Sequence, residues 1–181
     1  MRFFLCLMIL LGGALADGQQ PVAPPTGGLN NLAWMEGDWA GKQDFNTGGG
    51  PAMVGDATDE IRIGIEGKYL CEMLSTTLPG RKPTDTRHFI SYDKESNQFN
   101  AWWFNDTSTH PMKLSGELSS GKLVLLSDPS APGPELRATY ESPSQGKLTF
   151  LLEMKTGESW RKLFLSTYMK KTPAEAQNEH P

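Results

Sequence analysis

The chain has 181 residues, 21 acidic against 17 basic side chains and a formal net charge of −4, with 38% hydrophobic residues. That length gives one domain with a sizeable core. The acidic balance, with neither a basic stripe interleaved with aromatics nor a Lys/Arg-rich amphipathic helix, excludes nucleic acid and an anionic membrane surface as expected partners.

Residues 1–16 carry Arg2, an apolar run over 3–11 and then the small residues Gly12-Gly13-Ala14-Leu15-Ala16. This is the pattern of a secretory signal peptide cleaved before Asp17, because the apolar run is too short to anchor in a bilayer. The expected mature chain is secreted or periplasmic, has no integral membrane segment and, with Arg2 gone, carries a formal charge of −5. Cys6 leaves with the signal, and Cys71 alone cannot make an intramolecular disulfide. Residues 17–28, with Pro21, Pro24 and Pro25 and no apolar period, read as a flexible Pro/Gly-rich leader. The polar stretch 172–181 reads as a disordered tail. The domain is then 29–171.

Within it a short apolar helical turn over 29–35 runs into Gly37-Asp38-Trp39. From there period-two alternation dominates, and turn residues arrive every eight to twelve positions. The predicted strands are 38–45, 58–64, 68–78, 87–93, 98–105, 112–118, 122–127, 135–142, 147–155 and 160–170. The connections are mostly short, so consecutive strands pair antiparallel. A meander of about ten strands has two unpaired edges unless it closes, so the expected fold is all-β, a single antiparallel up-and-down barrel. Gly48-Gly49-Gly50 reads as a hairpin tip, since Pro51 and no helix follow.

If residues 94–97 form a hairpin loop, Tyr92 faces Phe99, Ile90 faces Ala101 and His88 faces Trp103. Pairing Tyr140 with Leu148 puts Ala138 by Phe150 and Leu136 by Leu152. The last strand then offers Arg161, Leu163, Leu165, Thr167 and Met169 to the same face. An apolar interior with His88 and Arg161 as its few polar groups is implied. Trp102 and Trp103 place one indole on each face of their strand.

The stretch Leu32-Ala33-Trp34-Met35-Glu36-Gly37-Asp38-Trp39 resembles the opening of the calycin superfamily, lipocalins and fatty-acid-binding proteins among them, in which a short turn leads into a first strand bearing Gly-x-Trp. With Ile65-Glu66-Gly67-Lys68-Tyr69-Leu70, Ile90-Ser91-Tyr92-Asp93 and the closing Tyr168-Met169-Lys170, it is similar to a bacterial-type family within that superfamily, the domain of unknown function 1579. The resemblance implies a calycin-like barrel whose end is closed by Gly37 and Trp39, with a basic side chain of the last strand stacked on Trp39. Arg161, Lys162 and Lys170 each fit that place, Lys170 by standing in the closing motif.

No nucleophile elbow, zinc-protease helix, cysteine pair or phosphate loop is present, so no catalytic residue, metal site or cofactor is assigned. His88 on an apolar face reads as a hydrogen-bonded core histidine, with a metal or haem ligand as the alternative. Cys71 reads as a buried inert thiol. The expected function is an exported barrel binding a small apolar or amphipathic ligand, with His88, Trp103, Phe150, Arg161 and Leu163 as ligand-binding residues. The alternative is a filled barrel acting through its surface, for which Trp102 and the loops 79–86 and 128–134 are candidates; a haem-binding barrel is the third reading.

Overall fold

The computed structural model describes residues 28–46, 52–106, 108–144, 146–172 and 175. The expected signal peptide, the leader up to residue 27, the glycine-rich tip at 48–50 and nearly all of the tail lie outside these residues.

A 3-10 helix, Leu29–Met35, precedes ten strands: β1 Gly37–Phe45, β2 Met53–Gly64, β3 Tyr69–Thr77, β4 Thr84–Asp93, β5 Gln98–Asn105, β6 Met112–Ser119, β7 Lys122–Ser127, β8 Leu136–Ser144, β9 Lys147–Thr156 and β10 Ser159–Lys170. Each strand pairs antiparallel with its sequence neighbour, and β1 pairs with β10, so the sheet is a closed up-and-down barrel. Closure leaves no edge strand for intermolecular pairing. β2 begins five residues earlier than the alternation indicated, because Met53, Val54 and Gly55 continue the ladder opposite β1.

The connections sort by pole. Tight turns join β2 to β3, β4 to β5, β6 to β7 and β8 to β9 at one end, where Ser120 and Gly121 both take positive φ, 50° and 75°, in a two-residue hairpin. The opposite end carries the loops 46–52, 78–83, 106–111 and 128–135 and only one two-residue turn.

The tight-turn pole is plugged. Leu32, Met35 and Trp39 are buried, and the Trp39 indole N–H donates to the Met35 carbonyl at 2.8 Å. Lys170 lies over the Trp39 ring, 5.5 Å from its centroid, while its ammonium donates to the Glu36 carbonyl at 2.9 Å. Of the three basic residues that fit from sequence, Lys170 is the one that stacks. Gly37, at φ 150°, makes this possible, since a Cβ there would stand 2.6 Å from Lys170 Cε. The Glu36 carboxylate accepts from the Ile63 amide at 2.8 Å and fastens the helical turn to β2.

The β4–β5 register is the expected one, with Tyr92 opposite Phe99, Ile90 opposite Ala101 and His88 opposite Trp103. Two irregularities correct the rest. A register shift between Glu141 and Ser144 sets Tyr140 opposite Phe150 and Ala138 opposite Leu152, two residues from the expected pairing but on the same face. A second shift between Lys162 and Phe164 turns the end of β10 over, because one extra residue in a strand reverses the side-chain alternation beyond it. Ser166 and Tyr168, fully buried, face inward, while Thr167 and Met169 face solvent and Leu165 shares their face. Cys71 is likewise not buried: it is half-exposed on the outer wall, opposite Phe89, and partial burial raises its thiol pKa.

Candidate functional site

Two features occupy the barrel between the plug and the loops. The deeper one is polar. Strand β2 points Ala57, Asp59 and Ile61 inward, and β3 points Leu70, Glu72, Leu74 and Thr76 inward. Asp59 is the Cα partner of Trp39 in the plug and of Leu74 on the other side, so it sits in the middle layer of the barrel. Glu72 faces His88 across β3 and β4. Glu72 Oε2 is 2.8 Å from His88 Nδ1 and accepts from the Tyr140 hydroxyl at 2.8 Å, and that hydroxyl lies 3.0 Å from His88 Nδ1.

At 2.8 Å the His88–Glu72 contact has the geometry of an ion pair. Burial nevertheless pushes the imidazole down to about 3, against a lesser opposing pull from Asp59, so the ring is neutral at ordinary pH and the contact is a hydrogen bond. A carboxylate only accepts, so Nδ1 carries the proton. Burial raises Glu72 to about 7 against the lowering pull of the neighbouring Asp59 carboxyl and of the hydrogen bond from Tyr140, and it raises Asp59 well above the usual carboxylate range, helped by the neighbouring Glu72 charge. Tyr140 and Tyr168 are also pushed up, chiefly by burial, and stay neutral.

Aromatic rings wall this layer. Trp103 stacks on His88 at 4.2 Å between centroids, Phe150 meets His88 edge-on at 6.1 Å and Trp103 at 5.7 Å, and Tyr140 stacks on Phe150 at 4.4 Å. With one ring face against Trp103 and Nδ1 held by Glu72 and Tyr140, His88 is oriented by neighbours on β3, β5 and β8. Among the described residues, no group of three or more His, Cys, Asp or Glu side chains is arranged to hold a metal ion.

The second feature opens to solvent at the loop pole. A pocket of about 310 Å³ is lined by Phe45, Met53, Leu74, Leu78 and Phe164, by Gln43, Thr76, Thr84 and Thr86, and by Arg81 and Lys82 at its rim. Its floor is firm: the Thr76 hydroxyl donates to Gln43 Oε1 at 2.6 Å, and Phe164 packs on Phe45 and Phe150 at 5.5 Å each. The rim cations are placed by the Pro79-Gly80 turn, in which Gly80 takes φ 71° and the Arg81 amide donates to the Leu78 carbonyl at 3.0 Å. A larger depression of about 680 Å³ lies on the outer wall of β5–β7, bordered by Gln98, Asn100, Ser115, Glu117 and Val124. It is an open groove bordered mainly by outward-pointing side chains, so the smaller interior pocket is the stronger candidate.

Of the residues expected at a ligand site, His88, Trp103 and Phe150 come together in the buried layer. Arg161 sits before the β10 irregularity and Leu163 within it, Arg161 opposite Met154, four residues and roughly 13 Å along β9 from Phe150. Leu163 packs on the core from the same segment. Sequence reasoning missed Asp59, Glu72 and the rim residues Arg81 and Lys82. The expected strand 58–64 stops short of Ala57, and reading Cys71 as buried turns Glu72 outward, so the alternation as read gives neither carboxylate an inward place. Trp102 lies on the outer wall, 6.4 Å from Tyr69, next to the Phe89–Phe104 pair at 5.8 Å.

Residues 25–170 match the family described as Protein of unknown function (DUF1579). No curated protein matches the chain. Among solved structures, Rv2717c from M. tuberculosis is similar at 12% identity and a TM-score of 0.61, over 80% of this chain and 97% of that one. The S-type phycobiliprotein lyase CPES from Guillardia theta is similar at 8% identity and a TM-score of 0.55, over 79% of this chain and 92% of that one. At these identities the likeness is one of fold.

Proposed function

Since the chain belongs to the DUF1579 family, whose function is unknown, we propose that it is an exported, calycin-like barrel that holds a small amphipathic ligand in the pocket at its loop pole. The observation that carries this reading is the pocket itself: about 310 Å³, with five large apolar side chains on its walls, a few fixed polar groups at its base and two cations at its rim. Ligand sites have this composition, and the volume is at the lower end of their range, which points to a short-chain ligand. Below the pocket the large side chains of Trp39, Tyr140, Phe150 and Tyr168 are buried inside the barrel, which favours a short chain over a long one. The apolar part rests on Leu74 and Phe164, and an acidic head meets Arg81 and Lys82.

Isothermal titration of the chain from Asp17 with fatty acids of increasing length tests this. Saturable one-site binding favouring short chains is expected, weakened about threefold to tenfold when Arg81 and Lys82 are both changed to Ala, as exposed charges contribute modestly. Binding abolished by neither that pair nor Leu74→Trp, or no saturable binding at all, overturns the reading. Export rests on residues 1–16, and N-terminal sequencing of the secreted product is expected to begin at or near Asp17. Recovery of the intact N-terminus in the cytosol removes that part of the proposal.

A further inference from the structure

The interior acid pair is not explained by ligand binding at the mouth. Asp59 and Glu72 are 3% and 1% exposed. Glu72 Oε2 is fully occupied by His88 and Tyr140, yet Glu72 Oε1 and both oxygens of Asp59 have no donor. Asp59 lies opposite Leu74 and Glu72 opposite Ile61, so the two buried carboxyl groups are diagonal neighbours on the inward face of β2 and β3, within reach of one another. Two buried neighbouring carboxylates repel; Asp59 has no hydrogen bond to offset its desolvation, and Glu72 has them on one oxygen only.

The surrounding elements supply no positive charge to compensate. The groups facing the pair are Trp39 from β1, His88 from β4, Tyr140 from β8 and Tyr168 from β10, with Trp103 of β5 and Phe150 of β9 behind His88. His88 is the one titratable base among them, and burial keeps it neutral. A single proton placed between the carboxyl groups removes one charge and supplies the missing donor at once.

We infer that Asp59 and Glu72 form a one-proton binding site at the centre of the barrel, which ties β2 to β3 when the proton is bound and loosens that wall when it is lost. In the protonated state Asp59 O–H donates to Glu72, whose remaining oxygen takes the His88 and Tyr140 hydrogens, and every group in the layer near Glu72 is satisfied. Loss of the proton leaves two carboxylates in contact within a layer sealed by Trp39 on one side and Leu74 on the other. The direction of both carboxyl pKa values, raised by burial, agrees with a site that stays loaded when surface carboxylates have ionised.

The site is read by carbon NMR of the full chain labelled at Asp and Glu carboxyl carbons, titrated from about pH 4 to about pH 9, together with amide exchange of β2 and β3. One carboxyl is expected to remain protonated after the exposed ones have ionised, with Asp59 and Glu72 shifting together. Protection of β2 and β3 amides, corrected for intrinsic exchange, is expected to fall by about tenfold per pH unit where the folded chain holds one proton more than the unfolded chain. In Asp59→Asn the introduced amide donates to Glu72 at any pH, so the shared titration disappears and protection loses its dependence on this site. Should that variant fail to fold, Glu72→Gln, whose amide can donate to Asp59, is read in the same way. All carboxyls ionising together below about pH 5, or a titration unchanged in either variant, overturns the inference.

Discussion

Replacing Trp39 with Ala removes the largest side chain of the plugged pole, and its cost can be assembled from its contacts. Trp39 is 1% exposed and stands on Leu32 and Met35, both fully buried. Truncating a buried Trp costs about 3–5 kcal/mol in transfer and cavity terms. The indole hydrogen bond to the Met35 carbonyl contributes about 1 kcal/mol. The Lys170 contact at 5.5 Å contributes about 0.5–1 kcal/mol, as its ammonium is exposed. Because these share one site they do not simply add, and the expected loss is about 4–6 kcal/mol. With a urea m-value of about 2 kcal/mol/M, the midpoint falls by about 2 M or more. If the Ala variant is unfolded in water, Trp39→Phe and Lys170→Met, singly and together, isolate the stacking term. A loss below about 1 kcal/mol for Trp39→Ala refutes the organising role given to the plug.

Gly41→Ala is expected to cost at least about 3 kcal/mol or to prevent folding, because its Cβ would lie 1.9 Å from the Thr167 carbonyl oxygen on the β1–β10 ladder, where backbone must move. Gly28→Ala, with open space around it, serves as the neutral control in the same thermal melts. Stability is expected to peak on the acid side of neutrality. The folded acid pair keeps one proton beyond the ordinary carboxylate range, with Glu72 raised to about 7, whereas the unfolded Glu and Asp lose theirs near 4.5 and 3.8, so the pair lowers stability as pH rises through that window. His88 opposes them, since the unfolded ring is protonated below 6.5 and the folded one only below about 3, so it removes stability as pH falls between those values. Between about pH 4.5 and 6.5 the proton held by the pair is offset by the one the buried imidazole lacks, so stability is nearly level there and falls once pH rises past 6.5; a urea midpoint that keeps rising above neutrality contradicts this.

The barrel was legible because closed antiparallel sheets write themselves as alternation punctuated by turns, and every strand except the early-starting β2 lies within a few residues of its expected place. The β4–β5 register followed from the four-residue loop 94–97, since a hairpin's loop length determines which residues face each other. What did not follow was the face presented by β10. The irregularity between Lys162 and Phe164 depends on how β10 meets both β9 and β1, a long-range condition that leaves no local signature in Lys162-Leu163-Phe164. The acid pair failed for a different reason. Taking Cys71 as the buried residue of its strand turns Glu72 outward, and a carboxylate such as Asp59 or Glu72 is ordinarily assigned to solvent. Only the proximity of two strands shows that the two can share a proton. Arg81 and Lys82 stood in a loop whose Pro79-Gly80 turn was plain, but nothing local said which pole the loop would crown.

The pairing of β1 with β10 brings both ends of the wall to the plugged pole, where the Lys171 amide donates to the Asp38 carbonyl at 2.7 Å. An affinity tag, a surface tether or a fused reporter joined at either end is therefore attached on the side away from the mouth, and immobilised protein presents its pocket to the bulk solution. The same proximity makes the chain a candidate for circular permutation: a peptide bridge from the end of β10 to the start of the 3-10 helix, with new termini opened in one of the loops at the far pole, keeps the plug and every strand pairing while moving the attachment point to the rim.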